Sequence, residues 1–436
     1  VTQISGSAVT LALGELTESD SRNGDSDSAP ADGQTPPAMP GNESGQTFTE
    51  NGSTVTLDFS SAEITKDSSS ATVSDIAVGD IISVTYNSKN VAVTAEIITV
   101  SAGSTGGSVD NGSSANTISD DSAFTGTSYT STGDDENALR IDGATVTLDS
   151  ITADKSAGSS SNAENGDFYG VNAAILALNG ATVTIKNSTI TSSAQNGNGI
   201  FSYGSGTTVN VSDTTITTTA DNSGGIQTTG GGTTNASNLT VTTSGNSSAA
   251  IRSDRGGGTV NVDGGTYTSN GYNSPAVYST ASISVKNANL TANNSEALVI
   301  EGKNSISLEN CDVSGNMSST KGSSSDENVH NIMIYQSMSG DAAVGTSEFS
   351  MNGGSIKSNN GDMFYITNTS CTVSLSNVSI TNADNAYFMN ICGNSASHGW
   401  GTAGSNGAQV TFTAENQVFN GDIIVDTIST LNMTLK

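Results

Sequence analysis

An all-β solenoid, a right-handed single-stranded parallel β-helix with three strands per coil, is the fold this sequence predicts, and three observations carry the prediction. First, one short pattern returns six times between residues 172 and 314. Val183-Thr184-Ile185-Lys186-Asn187 leads to Ile190, and Val209-Asn210-Val211-Ser212-Asp213 leads to Ile216. Further copies centre on Ala236, Val262, Val285 and Leu308, so that with Ile185 and Val211 the markers step by 26, 25, 26, 23 and 23 residues. A fixed period of this length is the signature of a repeat architecture. Second, each copy alternates apolar and polar residues, which is a strand period and not a helical one. Third, Asn187, Asp213, Asn238, Gly264, Asn287 and Asn310 recur at one position. Asn, Asp and Gly tolerate a left-handed backbone, so the row reads as a tight corner and not as a metal site.

Each coil carries one more short strand ahead of this pattern, at Ala174–Ala177, Gly199–Ser202, Gly225–Thr228, Ala250–Ser253, Ala276–Ser279 and Ala297–Ile300. Alternation along a strand places Ile175, Ile200, Ile226, Ile251, Val277 and Leu298 in one interior column. Their neighbours Leu176, Phe201, Gln227, Arg252, Tyr278 and Val299 then point outward. The usual crossover rule makes the helix right-handed.

Residues 1–100 read as a separate small antiparallel β domain. Val1–Ile4 and Val9–Leu13 flank Ser5-Gly6-Ser7 as a hairpin, with further strands at Ser53–Phe59, Ile81–Tyr86 and Val91–Val100, the last two joined by Asn87-Ser88-Lys89-Asn90. Residues 15–45 are polar, acidic and hold four of the five prolines, the composition of an inserted loop. Residues 101–137 form a Gly/Ser/Asp linker that caps the first coil. The β-helix spans residues 138–436, about eleven coils, opening with Ala138–Ile141 and Val146–Leu148. Longer steps between markers place projecting loops at 154–170, 319–327 and 393–407, the last with Trp400 and His398. Insertions in repeat proteins often gather on the binding face. Ile423–Val425 and Leu431–Leu435 begin another coil, so the helix reads as truncated at its C-terminus, with a cap supplied by a longer chain or a partner.

Thirteen basic against 42 acidic residues give a net charge of −29, which argues against nucleic acid as a partner. Low aromatic content with abundant Ser, Thr, Asn and Gly would suit a disordered chain, but a solenoid needs only a thin continuous core. No apolar run is long enough for a membrane helix. Cys311, Cys371 and Cys392 show no disulfide framework and no CxxC spacing. Val1 is not an initiator residue, which fits a removed signal peptide or a trimmed chain.

Val1-Thr2-Gln3-Ile4-Ser5-Gly6, together with Asp75–Val84 and its Val78-Gly79-Asp80, resembles small secreted β-barrel domains of unknown function. The whole arrangement, including Thr35-Pro36-Pro37-Ala38-Met39-Pro40, resembles surface proteins of Gram-positive anaerobes labelled carbohydrate-binding-domain proteins, with a pectate-lyase-like fold. The resemblance covers essentially the entire chain. It implies a secreted or cell-surface location and a polysaccharide or glycan partner, and it supplies no catalytic set.

The outward stripe of the first strand is the candidate binding face. Phe201, Tyr203, Arg252, Asp254 and Tyr278 form its expected centre, with Glu301, Tyr335 and Tyr365 further along. Aromatics at strand spacing offer stacking platforms for sugar rings, and Arg and Asp bond hydroxyls. The alternative is that a loop or another domain covers the stripe. A polysaccharide lyase or glycoside hydrolase is the competing function, and it needs paired carboxylates. The stripe's acids are Asp142, Asp254 and Glu301. Two histidines, His330 and His398, exclude a His-based triad or a zinc site. Thr-x-Thr on consecutive coils, as at Thr189–Thr191 and Thr215–Thr217, resembles ice-binding solenoids, although Thr is also a good outward strand residue. No cofactor is expected. Acidic loops such as Asp134-Asp135-Glu136 are at most weak Ca²⁺ sites.

Overall fold

The computed structural model describes residues 3–5, 7–18, 46–66, 69–73, 76, 81–87, 89–98, 109–318, 328–394 and 400–436. They fall into two compact units, 1–109 and 110–436.

In the first unit, Gln3–Ser5, Ala8–Glu18 and Gln46–Asp58 form a three-stranded antiparallel sheet. Ser5 pairs with Ala8 as the hairpin expectation requires. The second and third strands run further than the sequence suggested. Glu15–Glu18 pairs with Gln46–Thr49, so strand residues occupy the beginning of the expected 15–45 loop. The rest of that loop, with its four prolines and the Pro-Pro-x-Met-Pro run, lies outside the described residues, as does most of the Asp75–Asp80 motif. A second sheet joins Glu63–Lys66, Ser69–Ala71, Ile81–Tyr86 and Ala92–Ile98. It is mixed and not purely antiparallel, because Glu63–Lys66 runs parallel to Ala92–Ile98. Asn87 Oδ1 accepts from the N–H groups of Lys89 and Val91, and Asn90 has φ 58°, which sets the expected turn. Val9, Leu57, Phe59, Ile64 and Ile97 are in the small core.

The second unit is a parallel β-helix. A twelve-stranded parallel sheet runs from Thr117–Ile118 to Ile423–Val425, and an eighteen-stranded sheet carries the other two strands of each coil. The interior column pairs in the expected order, Ile175 to Ile200, Ile226, Ile251, Val277 and Leu298, and none of the six is more than 1% exposed. The markers Ile185, Val211, Ala236, Val262, Val285 and Leu308 are likewise in register. Each such side chain contributes roughly 1.5–3 kcal/mol of burial, repeated once per coil. Toward the C-terminus the filling becomes aromatic, with Phe349, Phe364, Phe388 and Phe412 in successive ring contacts of 5.7–5.9 Å.

The corner row is left-handed throughout, with φ of 48–53° at Asn187, Asp213, Asn238, Asn287 and Asn310 and 75° at Gly264. Some of its side chains bond between coils: Asn187 Nδ2 donates to Asp149 Oδ1 at 2.9 Å and Asn238 Nδ2 to Asp213 Oδ1 at 2.6 Å. A second row, at Asn196, Asn222, Ser247 and Asn273, has φ of 52–56°. Beside it, Ser223, Ser248 and Ser274 accept backbone N–H bonds from the preceding coil at 2.9–3.0 Å. These local devices hold the coils in register beside the outward stripe.

Cys311 and Cys371 are buried and Cys392 is half-buried, and none of the three is in a disulfide. Among the described residues no helix is long and apolar enough to cross a membrane.

Candidate functional site

The outward stripe of the twelve-stranded sheet is covered at both ends and open in the middle. At the N-terminal side the cover is the 154–170 insertion, which folds back and does not project. It contains the one helix among the described residues, α1 (Ala163–Tyr169), capped by Asn162 Oδ1 accepting from the N–H of Glu164 at 2.9 Å. The chain leaves α1 through Gly170 at φ 77°. A Cβ there would meet Leu176 Cδ1 at 2.6 Å and the Phe201 ring at 2.9 Å, so only glycine lets the helix end lie this close to the sheet. Gln227 Nε2 donates to the carbonyl of Asp167 and Thr229 Oγ1 to that of Phe168, at 2.5 and 2.6 Å, fastening α1 down. Asp134 and Asp135 accept N–H bonds from Ser159 and Ser161, so this acidic loop tethers the insertion.

At the other end Trp400 packs on Tyr335 with ring centroids 4.7 Å apart and the ring planes tilted by 47°, and His330 lies over Tyr365 at 5.1 Å. Residues 395–399, including His398, and the 319–327 loop lie outside the described residues. A further excursion, 336–345, shares the long marker step that the sequence assigned to 319–327 alone. It brings Asp341 to the stripe.

Between these covers lies a cavity of about 370 Å³, lined by Arg252, Asp254, Tyr278, Tyr335, Trp400, Asp167 and Asp341, with Glu296 and the corner residues Asn222, Ser247 and Asn273 along one side. Four of the eight expected residues, Arg252, Asp254, Tyr278 and Tyr335, do line it. Glu301 is 2% exposed and lies beneath the floor, where its Oε2 accepts from Tyr278 Oη at 2.5 Å and Tyr335 Oη at 3.1 Å, and its Oε1 from Ser337 Oγ. The other three do not reach the cavity. Phe201 is fully buried under α1 with Leu176 and Leu178. Tyr203 packs edge-on against Tyr169 at 5.6 Å. Tyr365 is 2% exposed beneath His330. The expected centre therefore shifts one or two coils toward the C-terminus, because the insertion claims the Phe201 end.

Charge in the cavity is ordered into pairs. Arg252 donates from Nε and Nη2 to Asp254 Oδ2 at 3.0 and 2.7 Å, and from Nη1 to Asp167 Oδ1 at 3.3 Å. Burial disfavours the guanidinium charge, but Asp167 and Asp254 outweigh it and hold the pKa above the ordinary arginine value. Burial pushes Asp254 up to about 6 against the pull of Arg252, and raises Asp167 in the same way. Arg255 bonds Asp341 at 2.8 Å and lies over the Phe168 ring at 4.0 Å. Burial, with Glu301 and other nearby groups, raises the Tyr278 and Tyr335 hydroxyls well above their ordinary value, so both serve as donors.

Asp254 and Glu301 stand two coils apart, roughly 10 Å along the axis at strand spacing. Both are occupied, however: Asp254 Oδ1 accepts from the Arg255 N–H at 3.2 Å and its Oδ2 from Arg252. Asp142 accepts from Asn179 elsewhere on the stripe.

The residues that sequence reasoning missed come from outside the repeat. Asp167 and Phe168 belong to one insertion, Asp341 to another, and Glu296 to the bend before a strand. Insertion length was the one signal that pointed to Asp167, Phe168 and Asp341, and none pointed to Glu296. Among the described residues no group of three or more His, Cys, Asp or Glu side chains is placed to hold a metal ion. No protein-family model matches the chain, and comparison with curated proteins and with solved structures finds no match.

Proposed function

We propose that this chain is an extracellular, non-catalytic glycan-binding module that holds its ligand in the cavity between α1 and Trp400. The observation that carries this reading is the combination of Tyr278, Tyr335 and Trp400 rings with the Arg252–Asp254 pair in one open cavity of about 370 Å³. Small-molecule sites span roughly 300–1,000 Å³ and join apolar walls to a few fixed polar groups. Rings stack on sugar faces, and a side-chain pair already locked in place bonds hydroxyls without further ordering cost. The resemblance of the whole chain to carbohydrate-binding surface proteins supports the same reading.

Hydrolysis is the second reading, favoured by the raised Asp254 and its spacing from Glu301. The occupancy of both carboxylates weighs against it, since a general acid needs an oxygen free to face the leaving group.

A glycan array followed by calorimetry tests the proposal. Trp400→Ala and Tyr278→Ala are expected to weaken the best ligand by about 10- to 100-fold, the loss of one stacking platform. Unchanged binding in both variants overturns the cavity as the site. Turnover of a bound polysaccharide, abolished in Asp254→Asn, establishes the enzyme instead.

A further inference from the structure

We propose that the cavity selects a glycan unit carrying a protonated amine, such as a 2-amino-2-deoxyhexose residue, with the ammonium between Glu296 and the Tyr335 ring. This rests on the glycan reading and adds the class of sugar. Five carboxylates, Asp167, Asp254, Glu296, Glu301 and Asp341, meet two guanidinium groups at and below the cavity. Arg252 serves Asp167 and Asp254, and Arg255 serves Asp341. Glu301 is answered by three hydroxyls.

Glu296 is the exception. Only 5% exposed, it lines the cavity, and its Oε2 accepts a single bond, from Ser295 Oγ at 2.6 Å. Its Oε1 has no hydrogen-bond partner among the described residues, and neither oxygen has a cationic one. A carboxylate with this little exposed surface gains most from a charged donor. Its charge is felt at Tyr335, whose hydroxyl it helps to push up.

Three ligand classes can be weighed against this arrangement. A uronate or sulfated sugar brings a like charge into a net negative cavity on a chain of charge −29. A neutral sugar offers a hydroxyl to Glu296 but leaves its charge unanswered. An ammonium donates to Glu296 and lies against the aromatic faces of Tyr335, Tyr278 and Trp400, which attract cations. The third class fits all the groups present.

The test is calorimetry on the whole chain with a β-linked glucosamine oligomer, its fully N-acetylated counterpart, the equivalent glucose oligomer, and methylammonium as a small probe. The glucosamine oligomer is expected to bind roughly 10- to 100-fold more tightly than the other two, as loss of a charge-assisted bond implies. Added salt should narrow that preference. Glu296→Gln, nearly isosteric, should erase it, while Glu309→Gln, an exposed residue paired with Lys286 away from the cavity, should leave it intact. The wild-type comparison of amine with N-acetyl needs no variant to fold. Equal or tighter binding of the neutral oligomers overturns the amine inference and leaves the glycan reading standing. Binding of methylammonium that depends on Glu296, with no glycan bound, sustains the ammonium site and overturns the glycan reading. No binding of either amine overturns the inference outright.

Discussion

Two outward faces of the same coils have taken opposite courses. On the eighteen-stranded sheet, Thr152, Thr189, Thr215, Thr240 and Thr266 stand in one column, and Thr191, Thr217, Thr242, Thr268 and Thr291 in the next. The first column is exposed and the second half-buried. On the twelve-stranded sheet the equivalent stripe reads Leu176, Phe201, Gln227, Arg252, Tyr278, Val299, Met333, Tyr365, with no residue type repeated in succession. Where nothing lies on a face, each coil solves the same problem and keeps the same residue. Where insertions fold over a face, each coil meets a different neighbour. Variation along the stripe thus marks cover and cavity, while the Thr columns mark plain solvent-facing strand.

The largest effects should come from the covered end. Phe201 looks like a surface aromatic in sequence, and replacement would then cost little. Buried under α1, Phe201→Ala should instead destabilise the β-helix unit by about 3–5 kcal/mol, read as a shift in the denaturant midpoint. A change below about 1 kcal/mol would mean that α1 does not lie on the sheet. Arg252→Ala should cost a similar amount, about 3–5 kcal/mol, because it strands the Asp167 and Asp254 carboxylates. Adding Asp254→Asn to that variant should recover part of the loss. If it recovers nothing, the ion pair is not what Arg252 contributes.

That contrast also explains what the sequence could reveal. The interior column from Ile175 to Leu298 and the corner at Asn187, Asp213 and Asn238 were legible because both follow from local rules, strand alternation and left-handed tolerance. The outward direction of Phe201 was legible too, but its burial was not. Nothing in Asp154–Gly170 announces which way the insertion folds. The informative residues, Gly170 and the carbonyls of Asp167 and Phe168, act through backbone shape and not through side-chain type. Half of the expected site, Arg252, Asp254, Tyr278 and Tyr335, survived because the insertions border those residues and leave a cavity over them. Glu296 escaped notice because it lies outside the strand whose alternation was being followed.

A smaller effect separates the cavity from the Thr face by pH. Asp254, pushed up to about 6 by burial, keeps a proton that the unfolded chain gives up near the ordinary value of 3.8. Between these two pH values the native state binds more protons than the unfolded one, so this group makes stability fall as pH rises. Asp167 moves in the same direction. Wild type should therefore lose melting temperature relative to Asp254→Asn as pH goes from about 4 to about 6. A difference that stays flat, or slopes the other way, would show that Asp254 is charged throughout and that its pairing with Arg252 outweighs its burial.

The smallest effect expected is at the Thr columns. Thr215 and Thr240 are exposed, neighbours across one coil spacing, and far in kind from the bonded groups of the cavity. Thr and Val have nearly the same shape and both favour strands. Thr215→Val with Thr240→Val should thus change stability by less than about 0.5 kcal/mol per site, and retention on the best glycan should not change. The result decides more than its size suggests. A flat array of hydroxyls is itself able to bond an extended polysaccharide, and only its hydroxyls are removed by this double change. If glycan retention falls while the melting temperature holds, the ligand lies along the Thr face and the cavity has another use. If retention holds here and falls in Trp400→Ala, binding belongs to the face that the insertions have made irregular.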